Sequence, residues 1–373
     1  MRISFFDAHS LRLIQAPMAG SQNHRLAAAV YKAGGLGSIP AAMLTTEQLQ
    51  NELAAFADAI GTDIDIGGNT RKTDSWGQLL PVNVNFFCHK APAAQAETEA
   101  AWRLKLTPAY QAHGIDPAAV GSGPGRAPFS EESLAMLEKL EKLEKLGQSK
   151  PAVVSFHFGL PKAEWVAQLK AWGIQIWSSA TTVQEAHWLE QNGADAVIAQ
   201  GLEAGGHRGM FLTEDISTQM GTLALLPQIK KAVNIPVIAA GGISNAAAVR
   251  AAKMLGASAV QVGTAFLTSH EATTSALHRQ ALMSDAARHT ALTNLFSGRP
   301  ARGIVNQFMR DFGPLNPMAP AFPLATAAVA PLRAAAEAKG QSGYSPLWSG
   351  QNASDCEALP AADIAHKLLQ AWA

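Results

Sequence analysis

Residues 194–209 read ADAVIAQGLEAGGHRG, and two kinds of chain meet within this stretch. Ala196, Val197, Ile198 and Ala199 form a short unbroken apolar run, the pattern of a parallel strand covered on both faces. Gln200 closes the run. Gly201, Gly205 and Gly206 then strip side chains from the loop, which frees its backbone to lie against a ligand. His207 and Arg208 follow. A strand that stops at a glycine-rich loop carrying one imidazole is a common way of mounting a site on a rigid element. The bare Gly-Gly-His tripeptide, taken alone, fits a solvent loop with a chance histidine better. The neighbouring units change that balance.

Downstream, a helical pattern over 222–233 precedes a strand over 235–240 that ends in Gly241-Gly242. A helix over 245–255 then precedes a strand over 259–262 that ends in Gly263-Thr264. Upstream the same alternation runs back through a strand over 174–178 with a helix over 183–192, and a strand over 152–158 with a helix over 163–172. Gly173 and Gly193 sit just past two of these helix ends, as C-caps do. Before them come strands over 11–18, with Pro17 near its end, 36–39 and 79–88. Helices are predicted over 23–33 and 46–60, the second with Thr45 or Thr46 as N-cap. Asn83 and Asn85 alternate with Val82, Val84 and Phe86, which puts both amides on one face.

Eight strands with helices between them, and no GxGxxG turn after the first, favour a TIM-type (β/α)8 barrel over an open doubly wound sheet. The expected organisation is a barrel over 1–265, completed by about 321–373, with a helical insert and cap over 266–320. Within the insert, 272–295 reads as helix and FSGRPARG at 296–303 as a basic loop; the tail over 330–373 is largely helical. Residues 89–129, rich in proline, read as an excursion from the core. Ser130 opens a helix running into LEKLEKLEKL at 137–146, the pattern of a solvated, ion-paired face.

Composition narrows the class. The chain has 373 residues with 29 basic and 29 acidic side chains, so no charge imbalance points to nucleic acid or to a membrane surface. The N-terminus lacks an export pattern and no apolar run is long enough to span a bilayer. Cys88 and Cys356 form neither a disulfide framework nor a zinc spacing. A cytoplasmic protein is expected, with a homo-oligomer open.

In such barrels the chemistry lies at the C-terminal strand ends, often with a phosphate site in the loops after strands seven and eight. Gly241-Gly242 and Gly263-Thr264 occupy those two positions and offer backbone N–H groups. The other strand ends carry Gln15, Met18, Asn85, His157, Ser178, Ser179, Gln200 and His207. These are mostly amides, hydroxyls and apolar groups, a set suited to the edge of a heterocycle such as a flavin; no carboxylate cluster suggests a metal. Glu203 reads as a loop residue held by backbone N–H groups. A flavin-free phosphate-binding barrel, a lyase, an isomerase or a simple ligand binder, has the same parts.

Seven segments in one order, QAPMAG at 15–20, GGLGSI at 34–39, VNVNFF at 82–87, QGLEAGGHRG at 200–209, AAGGI at 239–243, QVGTAF at 261–266 and SGRPARG at 297–303, resemble nitronate monooxygenases, most closely those of class I. The resemblance implies noncovalent FMN. It assigns flavin contacts to Asn85, Gln200, Gly205, Gly242, Gln261, Val262, Gly263 and Thr264, with Ala16, Pro17 and Met18 against the ring, and the catalytic role to His207. It also implies oxidation of an alkyl nitronate, with propionate 3-nitronate and nitroalkanes among the candidate substrates, by O₂ to a carbonyl compound and nitrite. Arg299 and Arg302 are then expected to hold the nitronate with His207 through charge-assisted hydrogen bonds. Sister flavoenzymes, NADH:quinone reductases and enoyl-thioester reductases, share part of these motifs.

Overall fold

A computed structural model describes residues 4–61, 76, 79–93, 95–123, 127–140 and 150–372. After a short helix, α1 (Phe5–Ala8), the chain alternates strands and helices. The barrel strands are β1 (Leu13–Gln15), β2 (Gly37–Pro40), β3 (Leu79–Phe87), β4 (Lys150–His157), β5 (Gln175–Ala180) and β6 (Ala196–Gln200). A two-residue strand of a second sheet, β7 (Gly206–His207), comes next; β8 (Val237–Ala240) and β9 (Ala259–Val262) then complete the barrel set. Their order is β1-β9-β8-β6-β5-β4-β3-β2, every pair parallel. The two ends meet where Gln15 N–H donates to the Leu36 carbonyl at 2.9 Å and Leu36 N–H to that of Leu13 at 2.8 Å. The sheet is thus a nearly closed TIM-type barrel.

Around it run α2 (His24–Lys32), α3 (Thr46–Ile60), α4 (Ala96–Ala112), α5 (Glu131–Lys139), α6 (Ala163–Ala171), α7 (Val183–Gln191), α8 (Thr222–Ala232) and α9 (Ala246–Met254). Local chemistry starts several of them. Thr45 and Gln48 form a capping box on α3, and the Asn23 and Asn245 side chains accept from the first turns of α2 and α9. Leu225, Leu226 and Ile229 of α8 pack with Val197, Val237 and Val260 of the strands. Inside, Ile14, Val153, Trp177 and Ile198 fill the barrel, and α1 lays Phe6 on Trp177 at 5.3 Å. Among the described residues no helix is long and apolar enough to cross a membrane.

Three expectations need correction. The excursion over 89–129 contains α4, whose Trp102, Leu106 and Tyr110 are fully buried. Pro108 inside it removes one helical hydrogen bond, the feature that hides the helix in sequence. Segment 272–295 is helical only in α10 (Ala276–Leu282) and a short 3₁₀ turn. Its end forms β10 (Thr290–Thr293), which pairs antiparallel with β11 (Ala301–Ile304), and β11 pairs with β7. The basic loop is therefore partly a strand. Helices α11 (Gln307–Phe312), α12 (Ala325–Glu337) and α13 (Ala361–Gln370) finish the chain, and Tyr110 of α4 donates its hydroxyl to the Ala328 carbonyl of α12 at 2.7 Å. Of LEKLEKLEKL, residues 141–146 lie outside the described residues.

Candidate active site

The C-terminal ends of the barrel strands open into one cavity. Its wall includes Ala16, Pro17, Met18, Asn85, Gln200, Gly205, His207, Gly242, Gln261, Gly263 and Thr264. Val262, Arg299 and Arg302 are not part of that wall. Val262 turns its side chain into the core, and its carbonyl accepts from Ala16 N–H at 2.8 Å.

A buried amide clasp fixes the segment after β1. Gln15 Oε1 accepts from Ser38 N–H at 3.0 Å, and Gln22 Oε1 accepts from Gln15 Nε2 at 2.6 Å and from Met18 N–H at 2.8 Å. Asn85 donates to Ser155 Oγ at 2.9 Å. Asn83, on the same face of β3, is fully buried and donates to Ser38 Oγ at 2.9 Å. Both asparagines therefore face the barrel interior.

The loop bearing His207 is held from three sides. Its backbone pairs with Ala301 of β11, Gln200 Nε2 donates to the His207 carbonyl at 2.9 Å, and His157 Nε2 lies 3.1 Å from the same oxygen. A carbonyl only accepts, so His157 carries its proton on Nε2, and its Nδ1 accepts from Ser179 Oγ at 3.0 Å. Gln200 Oε1 accepts from Gly209 N–H at 2.7 Å. The Gln200 carboxamide thus spans the loop from both ends. The His207 ring has Nε2 2.8 Å from Ser297 Oγ and is bordered by Phe322 at 5.3 Å, Trp348 at 5.6 Å, and Phe87 and Phe158 at 6.2 Å each.

Two glycines on this wall have no substitute. A Cβ on Gly205 would sit 2.6 Å from the Gly350 nitrogen, and Gly242 has φ +72°, a region costly for other L-residues. Glu203 accepts from Thr222 N–H at 2.8 Å and from its hydroxyl at 2.9 Å, which makes it the loop anchor expected from sequence.

Both arginines expected to hold the nitronate make bonds to the protein, while Arg299 Nε is buried with no hydrogen-bond partner. Arg302 donates Nε–H to the Leu202 carbonyl at 2.9 Å and Nη1–H to Thr290 Oγ1 at 3.1 Å. Arg299 donates to the Met210 carbonyl and lies 4.1 Å over the Phe158 ring. Sequence reading also missed Ser297, Phe322, Trp348 and His278. Ser297 and His278 lie in the segment over 266–320 expected to cap the mouth, Ser297 within the SGRPARG motif, but nothing in that segment singles them out; Phe322 and Trp348 come from beyond it, where no period or motif marks them.

Among the described residues no group of three His, Cys, Asp or Glu side chains is arranged to hold a metal ion. A flavin fits better. Gln261 Oε1 is buried on the cavity wall with no hydrogen-bond partner, and such an oxygen calls for a ligand N–H. Glycines 242 and 263 leave the wall open to close approach.

Burial lowers the pKa of His157 to about 3 and that of His278, which bonds the Trp348 carbonyl at 3.0 Å, to about 4. The unfolded chain, with histidines near 6.5, binds protons that the fold excludes. Stability from these two groups is complete above about pH 6.5 and declines as pH falls toward 4 and 3, by at most ~1.4 kcal/mol per pH unit for each. The urea midpoint is expected to drop between pH 7 and pH 5, and His278→Gln to flatten that drop. An unchanged slope in the variant would show that His278 takes up its proton without cost.

A family model described as nitronate monooxygenase matches residues 6–371. The nitronate monooxygenase of Paraburkholderia phytofirmans is 40% identical over 95% of this chain and 90% of its own length. That of Pseudomonas aeruginosa is also 40% identical, over 96% and 95%. The crystal structure of nitroalkane oxidase from Streptomyces ansochromogenes superposes with a TM-score of 0.82 at 35% identity, covering 98% of this chain and 97% of that one.

Proposed function

Since the chain belongs to the nitronate monooxygenase family, we propose that it oxidises alkyl nitronates with O₂ to carbonyl compounds and nitrite, using noncovalent FMN held at the barrel mouth. The observation that carries this reading is the meeting, around one cavity, of His207 with all the flavin-contact candidates except Val262. When bound, FMN supplies the electron acceptor. The protein's part is to bind and orient. Gln261 Oε1, the segment from Ala16 to Met18 and the backbone of Gly242, Gly263 and Thr264 would hold the flavin, the first offering an acceptor and the glycine-rich backbone offering N–H groups for the phosphate. His207 meets the anionic nitro group as charge partner, or takes the α-proton of a neutral nitroalkane as base. Its aromatic border keeps water away from that exchange.

The test is the visible spectrum of purified protein, recorded without oxygen before and after adding a nitronate and, separately, NADH. A yellow protein bleached by the nitronate is the expected result. Bleaching by NADH alone would turn the reading to the sister reductases. Colourless protein that cannot be reconstituted with FMN would overturn the flavin assignment.

A further inference from the structure

Between Trp348 and the start of α13 at Ala361 the chain forms neither helix nor strand, yet it is held along its length. The Trp348 carbonyl accepts from His278 Nε2 at 3.0 Å, and Ser349 N–H donates to the Arg302 carbonyl at 3.3 Å. Gly350 N–H donates to Thr264 Oγ1 at 3.0 Å, Gln351 N–H to the Glu203 carbonyl at 2.9 Å, and Asn352 Nδ2 to the Gly242 carbonyl at 3.1 Å. The segment therefore ties the loop that leads to His207 to both loops expected to receive a phosphate. The fit is close, since a Cβ on Gly350 would lie 2.9 Å from the Glu203 carbonyl oxygen. Gly350 and Asn352 also line the cavity with Gly242, Gly263 and Thr264.

The far end of the segment is fastened differently. Ala353 and Cys356 are buried and pack in a small apolar cluster with Leu267 and Leu282. Between them the exposed Asp355 accepts from Asn245 Nδ2 at 2.6 Å and from Ser244 Oγ at 3.5 Å. Asn245 is the N-cap of α9, the helix that follows Gly241-Gly242. A loop held by single bonds, with no helix or sheet of its own, opens at a lower free-energy cost than the barrel strands. We propose, resting on the flavin reading, that segment 349–356 is a strap that opens to admit and release the cofactor phosphate, with Asp355 as its latch on α9. The latch is the same with and without flavin, so weakening it speeds passage in both directions and leaves the binding equilibrium where it was.

FMN uptake by flavin-stripped protein and FMN release on dilution of loaded protein would each be timed by flavin fluorescence, with the affinity taken from a titration. Asp355→Ala is expected to raise both rates about fivefold, the effect of losing one exposed charge-assisted bond. Affinity stays within about twofold of wild type, and kcat/KM of the loaded enzyme for a nitronate is unchanged. Asn245→Ser keeps an N-cap oxygen for Ala248 N–H and removes the donor to Asp355. It is expected to do the same, and it decides the matter if Asp355→Ala fails to fold. Unchanged rates in a folded variant would overturn the proposal. So would faster release with affinity weakened in proportion, the mark of a contact made only in the bound state. Faster uptake with slower release would also overturn it, as the mark of a carboxylate that merely repels the phosphate. Wild-type protein that takes up no FMN would overturn the flavin reading and the strap with it, whereas failure of the strap alone leaves that reading standing.

Discussion

His207→Asn is expected to lower kcat/KM for a neutral nitroalkane by about 10²- to 10⁴-fold, the range lost when a positioned acid–base group is removed. Asparagine keeps a polar side chain near Ser297, and the backbone stays pinned by β11, Gln200 and His157. The change therefore removes the imidazole and leaves the loop. Comparing a nitroalkane with its preformed nitronate separates the two roles. A base is bypassed when the proton is already gone, so the nitronate rate would hardly fall; a charge partner is needed in both cases, and both rates would fall. If neither rate changed, His207 would have neither role.

Arg208→Met is expected to cost about 3–5 kcal/mol and to lower Tm by roughly 10 °C. Arg208 is fully buried and donates to the Gly201 carbonyl at 2.6 Å, the Gln200 carbonyl at 2.7 Å and Gln219 Oε1 at 3.0 Å. Burial brings its pKa down to about 9, so it remains a cation at neutral pH. Methionine fills much of the volume but takes a donor from each of three acceptors, of which the Gly201 carbonyl keeps only the Ala204 N–H at 3.1 Å, and lost bonds at buried acceptors carry a desolvation cost. These carbonyls end β6 and begin the loop to His207, so the variant should also retain less flavin after gel filtration. A Tm within 2 °C of wild type, on the scale of ~2–4 °C per kcal/mol, would show that water replaces the guanidinium there.

The barrel was legible because its signal is local. Most of the parallel strands are short apolar runs ended by glycine or a polar residue, and several helices bring their own side-chain cap, as at Thr45 and Asn245. Asn85, Gln200, Gly242, Gly263 and Thr264 of the cavity wall were legible for the same reason, since they sit at or just past strand ends, while their assignment to a flavin rests on the family resemblance. What escaped depends on distant pairing or on broken rules. The two-residue β7 has no period to read, and its partner β11 lies in a segment whose glycines suggest a loop. Pro108 masks α4. Arg299 and Arg302 stand among glycines, as anion-binding residues often do, and only the fold turns them toward backbone carbonyls. Phe322 and Trp348 reach His207 from far along the chain.

The pairing of β7 with β11 also orders events during synthesis. Every barrel strand is made by Val262, whereas the strand that aligns with His207 begins at Ala301. A nascent chain emerges N-terminus first and folds as its units complete, so the scaffold precedes the setting of the histidine. A polypeptide stalled or clipped before Ala301 carries the barrel strands without the partner that aims the imidazole. The strand that aims His207 is therefore made after every barrel strand, and Phe322 and Trp348, which border the imidazole, are made later still.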